Sequence, residues 1–210
     1  MKAFVNFLSA FRIAASFFIV FTLLQGWYGT SFIIYILAAL SDFFDGYLAR
    51  KYNVCSKIGG VMDHIGDKFL VVNTLIVLTI ILSYIFPSLI PHFAAWILIV
   101  PVVIMIAREL YISGLREFLG TQKIEMPVPK ARFSMGKIKT TLQMIATCAL
   151  LFALCVPQFG LNPKYETVVL YTFFTMSYVG IVTIWLALIA SVWSATEYTK
   201  TFLGHLKKIK

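Results

Sequence analysis

The chain has 210 residues, 60% of them hydrophobic and 13% charged, with a formal net charge of +9 and a mean hydropathy of +0.88. Soluble domains run at roughly 45–50% apolar and about 25% charged, so this composition excludes an ordinary soluble chain. The basic excess lies beside long apolar segments, which excludes nucleic acid as a partner and points to the anionic headgroups of membrane lipids.

Charge-free runs cover 13–41, 69–107, 140–163 and 167–196, and a bilayer span needs roughly 20 apolar residues. Turn residues break the first run at Gln25-Gly26-Trp27-Tyr28-Gly29 and the second between Phe86-Pro87 and Pro91-His92. In chain order this predicts helices over about 5–24, 30–49, 61–85, 92–113, 140–157 and 166–192. The expected fold is an all-α integral membrane protein with six transmembrane helices, forming a single domain over 1–210. Helix one carries Arg12, lacks a small-residue cleavage site and leads straight into a second span, so it reads as an anchor rather than a cleaved signal.

Lysine and arginine are absent from 25–29 and 86–92, and 158–165 holds only Lys164. The other seventeen lie at the N-terminus and in 50–68, 108–139 and 200–210. The positive-inside rule makes that face, with both termini, cytoplasmic. The only sizeable hydrophilic segment is 114–139. Cys55, Cys148 and Cys155 have neither disulfide nor metal-ligand spacing.

All four aspartates, Asp42, Asp45, Asp63 and Asp67, fall in one 26-residue window, 42–67. Asp42 and Asp45 lie about 60° apart on one face near the cytoplasmic end of helix two. Asp63 and Asp67, at i and i+4, share a face at the start of helix three. A short connection at 51–60 brings the two helix ends together. Carboxylates gathered out of water repel one another and need cations, and hard divalent ions suit oxygen ligands. Two helices of carboxylates can bridge two ions about 3.5–4 Å apart, the arrangement used in displacement at phosphorus. Gly46 allows close approach to the backbone, Arg50 suits a bidentate phosphate contact, and Gly59 and Gly60 loosen the start of helix three. Two other readings stay open: an ion-pair cluster with Arg50, Lys57 and Lys68, or a cation or proton path. Against a path, all four acids lie near one membrane face, as do Glu109 and Glu117.

Asp42-x2-Asp45-Gly46-x2-Ala49-Arg50-x8-Gly59-x3-Asp63-x3-Asp67 resembles the complete signature of the CDP-alcohol phosphatidyltransferases. The segments NFLSAFRIA (6–14), ARELYISGLREFLG (107–120) and GKIKTTLQM (136–144) resemble the branch of that family that forms phosphatidylglycerophosphate. One departure is His64-Ile65-Gly66, where the family pattern has Pro-Val-Ala. The resemblance implies a six-helix, multi-pass enzyme of the inner membrane, homodimeric, with its active site at the cytoplasmic face. It implies that Asp42, Asp45 and Asp63, with a share from Asp67, hold two Mg²⁺ or Mn²⁺ ions on CDP-diacylglycerol. Asp67 would be the general base, and Gly46, Ala49, Arg50 and Gly59 would line the nucleotide side.

Arg108 and Arg116, about 80° apart if their helix continues, can face one cavity, and Lys137 and Lys139 open helix five opposite them. Four cations suit a dianionic acceptor such as sn-glycerol 3-phosphate. Sister enzymes acting on phosphatidylglycerol, inositol phosphate or serine share the aspartates and would differ only here.

Overall fold

The structure is a computed structural model that describes residues 2–52, 57–90, 94–121, 135–159 and 166–209. Within these helices, 2–6, 43–52, 57–61, 63, 64, 119, 121, 159 and 205–209 are described as backbone only. The chain forms α1 (Lys2–Leu24), α2 (Tyr28–Tyr52), α3 (Lys57–Leu89), α4 (Trp96–Thr121), α5 (Met135–Phe159) and α6 (Glu166–Ile209), with no strand among the described residues. Among the described residues five helices carry apolar stretches long enough to cross a membrane, and α2 contributes the shorter stretch Tyr28–Asp42. Phe17, Phe18, Phe21, Trp96, Tyr171 and Trp193 all point outward and are exposed. An exterior this apolar is accommodated by lipid, not by water. The chain is a multi-pass membrane protein.

Lipid offers no hydrophobic drive between helices, so close packing of small side chains has to supply the attraction. Accordingly Ala15, Ala38, Ala146, Ala153, Ala187 and Ala190 are buried in the helix interfaces. α1 packs along α2 and α3, α5 along α6, and α2 joins the two groups through α5, while α4 rests on α6. Contacts from α3 to α4 and α5 are sparse, and a cavity opens there.

Local chemistry accounts for the helix ends and for the departures from expectation. α1 stops where Gly26 takes φ 75°. Trp27 N donates to Thr22 O at 2.8 Å and Gly26 N to Leu23 O at 3.0 Å, the paired bonds of a glycine-capped helix end. Gln158 of α5 brackets this turn, donating to Gly26 O and accepting from Gly29 N at 3.0 Å. α3 was expected to end near 85 but runs through Pro87 to Leu89. So near the end a proline removes little of the ladder, and the Ile90 N bond to Phe86 O (2.8 Å) closes the last turn. Pro101 lies inside α4 and removes the donor for the carbonyl four residues back, Ile97. The Trp185 indole of α6 donates to that carbonyl at 3.0 Å.

α4 starts at Trp96 rather than 92 and continues to Thr121, and α5 starts at Met135 rather than 140. Most of the expected hydrophilic segment 114–139 is therefore helical or lies outside the described residues. α6 continues past 192 to Ile209 because no proline interrupts it. Its charged residues mark the edge of the apolar layer, not the end of the helix. At 1.5 Å per residue it is about 66 Å long, more than a bilayer's thickness of about 40–45 Å.

Gly180 is the tightest of these contacts, since a Cβ there would stand 2.6 Å from Leu150 Cγ and Cδ2. Leu150 is fully buried, so the added methyl should cost about 1–3 kcal/mol, more than the ~1 kcal/mol that alanine gains in helix propensity. Gly114 has open space around it. Thermal melting in detergent should show Gly180→Ala lowering the midpoint and Gly114→Ala leaving it unchanged or raised. Equal behaviour would contradict this packing.

Candidate active site

The site begins with a charge buried by helix crossing. Gly66 lets α3 approach α1 closely, for a Cβ there would lie 3.3 Å from Ser9 O and 3.4 Å from Arg12 Cβ. At this crossing the Arg12 side chain is fully buried, with 0% exposure. Its Nη1 donates to Asp42 Oδ1 of α2 at 2.8 Å and also to Asp67 Oδ1 of α3. Two carboxylates from two helices thus converge on one cationic nitrogen.

Each of these carboxylates keeps about a third of its surface exposed (33% and 30%). The side chains of Asp45, Arg50, Ala49, Asp63 and His64, together with Gly46 and Gly59, belong to the backbone-only parts of α2 and α3. Among the described residues no three metal-ligating side chains gather, but the placed pair supplies hard oxygen donors from two helices, the donor type that a divalent cation takes.

A cavity of about 280 Å³ that Asp67 also lines lies between α3, α4, α5 and α6, where α3 parts from α4 and α5. Asp67, Lys68, Arg108, Glu109, Arg116, Lys137 and Lys139 line it, with Gln143, Ser194 and Tyr198. The expected cations Arg108, Arg116, Lys137 and Lys139 therefore share one space, because α4 does continue past Arg116. Each is held differently. Arg108 donates through Nε to Ser191 O at 3.2 Å, through Nη2 to Ser194 Oγ at 2.9 Å, and through Nη1 to Glu109 Oε1 at 3.0 Å. Arg116 donates to Tyr198 Oη at 2.8 Å and lies 5.2 Å from that ring's centroid. Lys139 is buried and donates to Glu109, whereas Lys137 is exposed.

Several participants escaped the sequence reading. Lys68, which was weighed only as a partner for the aspartates, donates to Ser113 Oγ at 2.8 Å and stands 3.9 Å from Glu109 Oε2. Glu109 was read as an edge acid and is instead a nearly buried part of the cavity wall. Ser194 and Tyr198 lie beyond the expected end of helix six. Only the absence of a helix breaker after 192 could have signalled them.

Removing one member of a buried ion pair typically costs about 3–5 kcal/mol, against roughly 0–1 kcal/mol for an exposed one. Arg12→Gln should therefore lower the melting midpoint far more than Arg116→Gln. Equal losses would mean that Arg12 does not hold the α1–α2–α3 junction.

Residues 3–193 match the sequence profile of the CDP-alcohol phosphatidyltransferase family. Curated relatives named CDP-diacylglycerol--glycerol-3-phosphate 3-phosphatidyltransferase include one from Salmonella typhimurium, 31% identical over 176 residues, spanning 84% of this chain and 80% of the relative. Another, from Blochmanniella floridana, is 30% identical over 178 residues, 85% of this chain and 77% of its own length. A third, from Cereibacter sphaeroides, is 43% identical over 117 residues, 56% of this chain and 47% of the relative. With its aspartates, its buried arginine and this match over nearly its whole length, the chain belongs to the CDP-alcohol phosphatidyltransferase family.

Proposed function

We propose that this enzyme transfers the phosphatidyl group of CDP-diacylglycerol to sn-glycerol 3-phosphate, giving phosphatidylglycerophosphate and CMP in phospholipid biosynthesis. The observation that carries the reading is the position of Asp67. Its carboxylate meets Asp42 at Arg12 and also lines the cavity containing Arg108, Arg116, Lys137 and Lys139. One acid thus borders both a cation-attracting cluster and an anion-attracting one.

The family is in general divalent-cation dependent. Asp42, Asp45, Asp63 and Asp67 would hold two ions, Mg²⁺ or Mn²⁺, which supply positive charge for the diphosphate oxygens and the departing CMP. On the signature spacing, Gly46, Ala49 and Gly59 would line the nucleotide side and Arg50 would pair with phosphate. Arg108, Arg116, Lys137 and Lys139 bind the acceptor's phosphate and so turn its hydroxyl toward Asp67. As the hydroxyl oxygen bonds to the β-phosphorus, its proton passes to the Asp67 carboxylate. The bond from that phosphorus to CMP breaks, and CMP leaves as an anion. Arg12, donating to Asp67 Oδ1, holds the carboxylate in orientation.

The distribution of basic residues favours a cytoplasmic active site and cytoplasmic termini, and the family resemblance favours the inner membrane. The chain acts as a single domain and, on the family resemblance, as a homodimer. Five cations in one cavity favour a phosphate-bearing acceptor over serine, which leaves inositol phosphate and phosphatidylglycerol as the rivals.

CMP release from purified protein, measured with CDP-diacylglycerol and a panel of acceptors, tests the reading. Metal-dependent release with glycerol 3-phosphate is expected, and Asp67→Asn should abolish it. Arg116→Ala should raise KM for glycerol 3-phosphate by about tenfold or more, the effect of losing a charged hydrogen bond, with KM for CDP-diacylglycerol unchanged. Release with another acceptor alone would overturn the assignment. Ion flux in sealed liposomes without CMP release would overturn the enzyme reading altogether.

A further inference from the structure

An acid in a cavity for an anionic substrate needs a reason, since its charge opposes the ligand. Glu109 lies in the wall of the cation cavity, 16% exposed. Lys139 and Arg108 both donate to its Oε1, and Lys68 stands 3.9 Å from its Oε2. These cations come from three helices, Lys68 from α3, Arg108 from α4 and Lys139 from α5. α4 and α5 are each held against α6, but α3 makes few contacts with either, so packing leaves Lys68 the least constrained of the three. Arg108 has independent supports on α6 in Ser191 O and Ser194 Oγ. Lys139 is 6% exposed, and an ammonium so deeply placed requires a close anion to remain charged and in position.

We infer that Glu109 is a positioning residue for acceptor recognition. Resting on the function proposed above, it fixes Lys139 and Lys68 beside Arg108 so that their remaining donors converge on one phosphate. Its effect on the ligand is indirect, through the cations. Two consequences oppose each other when its charge is removed: the cavity becomes more positive, but its buried lysine loses its anchor. A long-range charge gain is smeared over the cavity, whereas phosphate recognition depends on hydrogen-bond geometry. Misplaced donors therefore dominate, and affinity falls.

The test compares wild type, Glu109→Gln and Glu109→Asp, purified in detergent. Steady-state CMP release is measured against glycerol 3-phosphate and, separately, against CDP-diacylglycerol. Glu109→Gln should raise KM for glycerol 3-phosphate by about tenfold or more, with KM for CDP-diacylglycerol and kcat within about threefold. Glu109→Asp, which keeps the charge, should recover most of the affinity. An unchanged or lowered acceptor KM in Glu109→Gln would overturn the inference, as would equal damage to both substrates with no rescue by aspartate.

A second readout separates this inference from the function on which it rests. Protection by inorganic phosphate against thermal unfolding should be present in wild type, lost in Glu109→Gln and regained in Glu109→Asp. If wild type uses a different acceptor, the proposed function fails while this pattern still supports Glu109. Equal protection in all three proteins, or none in any, overturns the role of Glu109.

Discussion

A guanidinium without solvent, tied to carboxylates on two other helices, is the constraint on which the aspartate-bearing end of this protein depends. A charge at the centre of a membrane helix costs about 2.5–3.5 kcal/mol on insertion scales, and leaving a buried ion without its partner costs more. Arg12 of α1 can be accommodated only where acids meet it, and the acids on α2 and α3 gain from being met. The Gly66 crossing brings α3 close enough for this to happen. One electrostatic requirement therefore sets how three helices converge, and it leaves Asp42 and Asp67 facing each other.

The remainder of the site follows from what packing leaves open. α5 and α6 lie tightly together through small residues, and α4 leans on α6, but α3 parts from α4 and α5. Into that gap project charged side chains that neither lipid nor an apolar core would tolerate. They satisfy one another: Lys139, Arg108 and Lys68 around Glu109, and Arg116 against Tyr198. The gap is consequently roomy and carries charged side chains in its wall, as the proposed charged, water-soluble acceptor requires. Asp67 belongs to both groups, which is the geometric basis for assigning it the proton.

The sequence made the number and order of the helices legible, because charge-free runs and their turn residues report directly on what lipid allows. It also made the aspartates legible as a group, since their spacing along α2 and α3 is a local property. Ends were less readable. Pro87 looked like a stop but sits where a helix loses little to it, and α6 runs on through Glu197 and Lys200, which leave the membrane without leaving the helix. Least readable were the partners across helices. Nothing in the one-dimensional order ties Arg12 to Asp67, Lys139 to Glu109 or Trp185 to the carbonyl that Pro101 leaves unpaired. Those pairings depend on crossing geometry, which small residues such as Gly66 and Gly180 control. The positions of Asp45, Asp63, Arg50 and Gly59 fall where only backbone is described, so their roles rest on the signature spacing.

The proposed function turns on Asp67 standing between a metal cluster and an acceptor-phosphate cavity. An experimental structure of the enzyme with Mn²⁺ and glycerol 3-phosphate tests it most directly, using anomalous scattering to locate the metal. Manganese is expected at the carboxylates of Asp42 and Asp67, phosphate among Arg108, Arg116 and Lys139, and an acceptor hydroxyl facing Asp67. Manganese bound away from these aspartates, or phosphate bound outside that cavity, would contradict it.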